Sequence, residues 1–200
     1  MEQSAGRLRH ITRDMLDVNR LETGQLQLVL QPTDLFVLVN GVIAEQLPQI
    51  ELLGQHLELI ARPPLPLALC DAFRAAQIFG NLLSNASKFS PPCSRITIEL
   101  QALGDSADFI QIVVADRGVG IDEADYPHLF RPFFRAANAE RAGVSGTGLG
   151  SYIAHSLTEL HGGAITFDSV PGQGSTFRIT LPTASRSSRP PHRRRRTAWP

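Results

Sequence analysis

Gly146-Thr147-Gly148-Leu149-Gly150 runs without a break into Ser151-Tyr152-Ile153-Ala154-His155-Ser156-Leu157-Thr158-Glu159-Leu160 and stops at His161-Gly162-Gly163. Three glycines alternate with other residues, and Leu149, Tyr152, Ile153, Leu157 and Leu160 then recur at helical spacing. The His-Gly-Gly stop is a helix C-terminus signal. A glycine-rich loop therefore opens directly onto a helix N-terminus. Unpaired N–H groups and about +0.5 of an elementary charge at that end suit a phosphate chain. Glycine lets the backbone approach an anion because no Cβ intervenes. A plain structural loop fits the same pattern, and two stretches far away in sequence decide between the readings.

The first follows Asp71, which has the position of an N-cap for a helix over 72–87. Ala75, Ile78, Phe79, Leu82, Leu83 and Ala86 form its apolar face, while Asn81, Asn85 and Lys88 fall at i, i+4 and i+7 on one polar ridge. Asparagine is a poor helix former with little reason to recur there. Lys88 is the only lysine in the chain. An amide oxygen is a hard ligand for Mg²⁺, and an ammonium can meet a phosphate oxygen. A solvated helix face is the alternative. The second stretch is Asp116-Arg117-Gly118-Val119-Gly120, at the end of an alternating strand over 109–115. An Asp there can aim a carboxylate, an acceptor only, at a donor such as an exocyclic amine. A turn capped by its own Asp is the alternative.

The rest of the chain frames these segments. Leu8, Ile11, Met15 and Val18 give a helix over 4–21 an apolar seam for packing on its own domain or on another chain. Residues 25–30 alternate as a strand, with Pro32-Thr33-Asp34 as the turn out of it. A helix is predicted over 34–47 and strands over 56–61, 67–70, 95–100, 164–168 and 175–181. The strands over 95–100 and 109–115 form a hairpin. A short helix falls within 121–135, and residues 136–145 lack apolar periodicity and read as a mobile lid. Cys70 and Cys93 make neither a metal cluster nor a disulfide framework. An apolar content of 42% is that of an ordinary globular protein. No apolar run of membrane-spanning length and no signal peptide is read, so the chain is expected to be cytosolic. Net charge is zero only because Arg186, Arg189 and Arg193 to Arg196 crowd the C-terminus. The remainder carries 13 basic against 19 acidic residues, a net of −6. That excludes nucleic acid as a natural partner of the body, and residues 184–200 read as a disordered tail.

Four segments, in order, closely resemble the signature boxes of sensor histidine kinases: GNLLSNASKFSPP (80–92), VADRGVGI (114–121), LFRPFFR (129–135) and GTGLGSYIAHSLTELHGG (146–163). They look like the asparagine, first glycine, phenylalanine and second glycine boxes. GQGSTFRITLP (172–182) looks like the closing strand of the same domain. MLDVNRLETGQLQL (15–28) resembles the end of the second helix of the preceding dimerisation and phosphotransfer domain. The resemblance implies an α+β, two-layer sandwich (the Bergerat fold): a mixed sheet covered on one face by helices, after one bundle-type helix over 1–24. The ATP-binding domain would span 25–183. It further implies that Asn85 coordinates Mg²⁺, that Asn81 supports the phosphate and metal region, and that Lys88 contacts phosphate. Phe89 would lie beside the nucleotide, and Asp116 would accept from the adenine amine, with Gly118 and Gly120 lining that pocket. Residues 130–135, Phe130 and Arg135 among them, would anchor the lid. Gly146, Thr147, Gly148, Leu149 and Gly150 would wrap the phosphates.

None of the six histidines is assigned as phosphoacceptor, because the helix that carries it in the family would precede this chain. The expected function is supply of the γ-phosphoryl group of Mg-ATP to a histidine on a separate phosphoacceptor domain, and thence to a response regulator. Autophosphorylation of the chain alone is not expected. A homodimer through helix 4–21 is a further expectation. An ATP-binding regulatory or scaffold domain without transfer is the alternative. ATP hydrolysis, as in the gyrase and chaperone branch, is disfavoured: that branch has a glutamate one turn before the metal asparagine. Asn81 stands there, and an amide is no general base.

Overall fold

The asparagine-bearing helix is the spine of the fold. Asp71 adopts extended geometry and its Oδ1 accepts from the Arg74 N–H (3.1 Å), which starts α3, Ala72–Phe89. Its apolar face is buried as read, with Phe79 and Leu83 wholly inaccessible. A side chain buried to that degree contributes about 1.5–3 kcal/mol. The computed structural model describes residues 2–104, 107–137, 144 and 146–185, with side chains from residue 11 onward. The expected tail beyond Ser185 and most of the expected lid lie outside the described residues, as does the side chain of Leu8 in the helical seam.

Five strands form the main sheet: β2 (His56–Arg62), β4 (Arg95–Leu103), β5 (Phe109–Ala115), β6 (Ala164–Val170) and β7 (Gly174–Pro182). Their spatial order is β2-β4-β5-β7-β6, and only the β2–β4 pair is parallel. Ile96, Ile98 and Leu100 of β4, Ile110, Ile112 and Val114 of β5, and Phe177, Ile179 and Leu181 of β7 alternate onto one buried face. The helices α2 (Leu35–Leu52), α3 and α4 (Gly150–Leu160) supply the other half of the core. This is the mixed sheet with helices expected from the sequence.

Three local expectations change. Residues 25–30 form no strand. Leu26 and Leu28 do alternate inward, but β1 is Gln31–Thr33, where a turn was expected. Its antiparallel partner β3 (Ala68–Cys70) offers only three residues, from Gln31↔Cys70 to Thr33↔Ala68. Pro32 is tolerated because β1 pairs on one side only. Second, α2 continues through Pro48 to Leu52, since Ile50 is anchored in the core at 1% exposure. At that length α2 is long and apolar enough to cross a membrane, by length and composition alone, where the sequence reading expected no such run. Its Leu35, Val39, Val42, Ile43 and Ile50 nonetheless pack into this domain.

Third, α1 (Glu2–Glu22) turns only part of the expected seam to its own domain: among the described side chains Ile11 is half-buried and Val18 buried, while Met15 faces out. Leu16 is exposed as well, and the inward positions include Asp14 and Asp17. Asp17 Oδ2 accepts from Arg74 Nη1 and Gln77 Nε2, both at 2.8 Å. A buried carboxylate is admissible when it is paired and hydrogen-bonded in this way.

Candidate functional site

Side by side, α3 and α4 cross one face of the sheet, and the N-terminus of α4 abuts the polar ridge of α3. The position a Cβ would take on Gly150 lies 3.6 Å from Asn81 Oδ1, an ordinary contact. Asn85 Nδ2 donates to Ser151 Oγ (3.3 Å). That leaves Asn85 Oδ1, with no hydrogen-bond partner among the described residues, as an available ligand atom. Asn81 Nδ2 is buried with no hydrogen-bond partner among the described residues, which is costly in a finished interior and acceptable where a ligand completes the site. Leu149 precedes α4 without any side-chain cap, so the first-turn N–H groups are left for another acceptor. Among the described residues, Thr147 Oγ1 accepts only from the Leu149 N–H (3.3 Å).

Opposite the helices, β5 delivers Asp116. Its backbone N–H donates to Ser175 O (2.9 Å), and its Oδ1 accepts from the N–H groups of Gly118 (2.8 Å) and Ser175 (3.2 Å). Burial pushes the Asp116 carboxyl up to about 6, against the pull of those two N–H groups. Gly118 and Gly120 are required by close approach. A Cβ on Gly118 would stand 2.4 Å from Phe89 O, and one on Gly120 (φ +66) would stand 2.1 Å from Val170 O.

One cavity of about 910 Å³ is bordered by all of these parts: Asn81, Asn85, Lys88 and Phe89 of α3, Asp116 and Gly120 after β5, and Gly146, Thr147, Gly148 and Gly150 at the head of α4. Arg135, Ala136 and Val144 border it from the root of the expected lid, where Arg135 Nη2 donates to Val144 O (2.6 Å). Gly148 (φ +72) is clamped under that root: a Cβ there would lie 2.7 Å from Phe133 C and Phe134 O. Phe133 itself holds φ +64 and is exposed, a strained backbone position at the edge of the site. The cavity continues along α3 to Val42 and Gln46 of α2 and Ile11 and Arg13 of α1.

A model of the histidine kinase-, DNA gyrase B-, and HSP90-like ATPase family matches residues 70–185, more than half of the chain. The chain belongs to this family. It is similar to the sensor histidine kinase RcsC of Escherichia coli (strain K12), 34% identical over 183 residues, 91% of the chain but 19% of RcsC. It is similar to the circadian input-output histidine kinase CikA of Synechococcus elongatus, 34% identical over 187 residues, 91% of the chain and 24% of CikA. The histidine protein kinase DivJ of Caulobacter vibrioides is 34% identical over 184 residues, 91% of the chain and 30% of DivJ. The chain thus spans less than a third of each of these relatives. Among solved structures it resembles full-length ShkA in complex with AMPPNP, at TM-score 0.77 and 28% identity over 91% of this chain and 37% of ShkA. The Acinetobacter baumannii histidine kinase AdeS shares the fold at TM-score 0.74 and 22% identity, over 91% of this chain and 81% of that one.

Within this ATPase-family domain, three expected site residues do not border the cavity. Leu149 is wholly buried, so its side chain is core and only its backbone is near the loop. Phe130 stacks on His155 (centroids 4.5 Å) and meets Phe167 edge-on (5.8 Å), packing beneath the lid root. Gly118 acts through its close fit to Phe89 and its N–H on Asp116. Ser151 and Ser175, both bordering the cavity, were not singled out in the sequence. A serine one residue inside a helix start, and another at a strand start, carry no signal until their neighbours are known. Among the described residues no group of three or more His, Cys, Asp or Glu side chains could hold a metal ion. A metal here would be held by the Asn85 amide together with oxygens of a bound phosphate chain, a donor set that suits Mg²⁺.

Proposed function

We propose that this domain binds Mg-ATP in the cavity and supplies the γ-phosphoryl group to a histidine on the phosphoacceptor domain of a two-component signalling kinase in the cytoplasm. The phosphate would then pass to a response regulator. The observation that carries the reading is that a strand-end carboxylate, a helix-borne amide ridge and an uncapped helix N-terminus, far apart in sequence, border one cavity. When bound, ATP supplies the transferable phosphoryl group and Mg²⁺ neutralises charge on its phosphates. Asp116 accepts from the exocyclic amine of adenine and rejects guanine, which presents an oxygen at that place. Phe89 covers the base. Asn85 gives its amide oxygen to the metal, Asn81 its orphaned N–H to a phosphate oxygen, and Lys88 its charge. The N–H groups at the start of α4 hold the phosphate chain. Arg135 ties the lid root and helps exclude water. Positioning and charge stabilisation of this kind are most of what phosphoryl transfer asks of a protein.

Nothing in this division of labour needs a side-chain nucleophile in the domain. Along α3 the cavity runs toward α1, which leaves a side for an acceptor to approach. The exposed Met15 and Leu16 on α1 offer a surface for pairing with a second copy. The test is to incubate the protein with γ-labelled ATP and a separate phosphotransfer domain carrying the acceptor histidine. Acid-labile label on that domain is expected. Nucleotide binding without transfer supports a regulatory ATP-binding role, and absence of nucleotide binding by titration calorimetry refutes the reading.

A further inference from the structure

Ser169 lies on β6, outside every segment so far given a role, yet its hydroxyl makes three contacts that join the end of the 116–121 segment to the start of β7. Its Oγ accepts from the Ile121 N–H (2.9 Å), donates to Gly174 O (3.0 Å) and lies 2.9 Å from Ser175 Oγ. A serine hydroxyl has one proton and two acceptor lone pairs. One assignment satisfies all three contacts: Ile121 N–H and Ser175 O–H donate to Ser169, and Ser169 donates to Gly174 O. The backbone carbonyl of Ser169 accepts from Tyr126 Oη (2.6 Å), which ties in the 3-10 helix Glu123–His128. Residues 116–121 are therefore held at both ends by the same turn: Ile121 by Ser169, and Asp116 by two bonds to the backbone of Ser175. The fit is close, since a Cβ on Gly174 would stand 2.1 Å from Asp116 O. Gly172 N–H also donates to Val119 O (2.8 Å).

We propose that Ser169 is a positioning residue for base recognition: its hydroxyl locks the β6–β7 turn onto residues 116–121 and so fixes the aim of the Asp116 carboxylate. This rests on the nucleotide-binding reading above. Loss of the hydroxyl leaves the Ile121 N–H and the Gly174 carbonyl without their partner and lets Ser175 drift from Asp116. Base discrimination suffers before the phosphate end of the cavity, which Ser169 does not touch.

The experiment compares ATP and GTP affinity of wild type, Ser169→Ala and Ser169→Thr by calorimetry between pH 5 and 8. Wild type is expected to prefer ATP. Ser169→Ala should lose up to about tenfold of that preference, the upper end of the scale of one neutral hydrogen bond, and shift the midpoint of the pH profile attributed to Asp116. Ser169→Thr, which keeps the hydroxyl, should restore both. The other charged groups bordering the cavity, Arg13, Asp14, Glu45, Lys88 and Arg135, are not among the described partners of Ser169. A merely structural role would lower thermal stability and leave the ATP/GTP ratio and the midpoint alone, and that result overturns the inference. Should Ser169→Ala not fold, Ser175→Ala removes one bond of the same network. An unchanged ratio and midpoint in Ser175→Ala overturns the inference equally. Failure of wild type to bind either nucleotide sinks the functional reading itself, whereas binding with unaltered discrimination in the variants sinks the role of Ser169 alone.

Discussion

Asp116→Asn separates a ligand-binding carboxylate from a structural one, because the two predict opposite signs for stability. In the folded protein the Asp116 carboxyl is raised from 3.8 to about 6, chiefly by desolvation. A folded value above the unfolded one means that the native state holds the proton more tightly. The stability this contributes is present below about pH 4 and lost as pH rises through about 6. Above that, ionisation in the partly dry pocket costs on the order of 2–3 kcal/mol. An asparagine keeps an oxygen for the Gly118 and Ser175 N–H groups and carries no charge. Asp116→Asn should therefore stabilise the ligand-free protein at pH 8 by up to about 2 kcal/mol, or about 4–8 °C in Tm for a domain of this size.

The same change should weaken ATP. The variant loses a charge-assisted hydrogen bond and can present an N–H to the adenine amine. That costs about 1–3 kcal/mol, or about 5- to 150-fold in Kd. Wild-type affinity should also weaken as pH drops below about 6, since protonation removes the charge from the accepting oxygen and puts an O–H on the carboxyl. The variant should lack that component, while titration of the nucleotide's own phosphates is common to both. Thermal melts at pH 8 and calorimetric titrations from pH 5 to 8 read both effects. A destabilised variant with unchanged affinity and an unchanged pH profile would refute the reasoning, and would make Asp116 a turn residue that caps its own loop.

Asn85→Ala should abolish Mg-dependent nucleotide binding, because among the described residues no carboxylate cluster can replace its amide as ligand; an unaltered calorimetric titration counts against that role. Gly148→Ala should cost about 1–3 kcal/mol of stability and weaken nucleotide binding, since φ +72 and a 2.7 Å contact with the Phe133–Phe134 backbone leave no room for a Cβ. Gly146→Ala meets nothing within 4 Å and should fold normally, so equal melting of the two variants would show that the clamp on the lid root is not as described. His161 donates from Nδ1 to Leu157 O (2.7 Å), accepts at Nε2 from the Asp71 N–H (3.1 Å), and is held below its ordinary 6.5 mainly by burial. Its stabilising contribution is present above pH 6.5 and lost as pH falls through the depressed folded value. Melts between pH 7.5 and 5 should show that loss in wild type and a reduced slope in His161→Ala.

The parts of the site that the sequence disclosed are those that break a local rule. Two asparagines on one ridge of α3 oppose helix propensity, and a glycine pair after a strand-end Asp serves no ordinary turn better than one glycine would. Each anomaly is visible within a few residues. Ser169, Ser175 and Tyr126 break no rule where they stand. Their role exists only because the β6–β7 turn folds onto residues 116–121, about 50 positions earlier in the chain. Asp17 was hidden for a different reason. A charged residue between apolar helix positions reads as solvent-facing, and only Arg74 and Gln77 on α3 make its burial tolerable. The alternation at residues 25–30 was real as a burial pattern, through Leu26 and Leu28, but alternation does not say which residues find a ladder partner.

Asn81 links the two halves of the proposal. On α3 it stands one turn before Asn85, near enough to the head of α4 to contact Gly150, and its Nδ2 is buried with no hydrogen-bond partner among the described residues. A carboxylate in that place could take a proton from water and would turn the site toward hydrolysis. An amide can donate to a phosphate oxygen but cannot serve as base. A domain so equipped would hold ATP and wait, and the rate would be set by the arrival of an acceptor. Asn81→Glu tests this directly. If it raises phosphate release from ATP without an acceptor, the amide is what keeps the wild-type domain a donor. If it only abolishes binding, the orphaned N–H is needed for the phosphates, and restraint of hydrolysis must be sought elsewhere in the cavity.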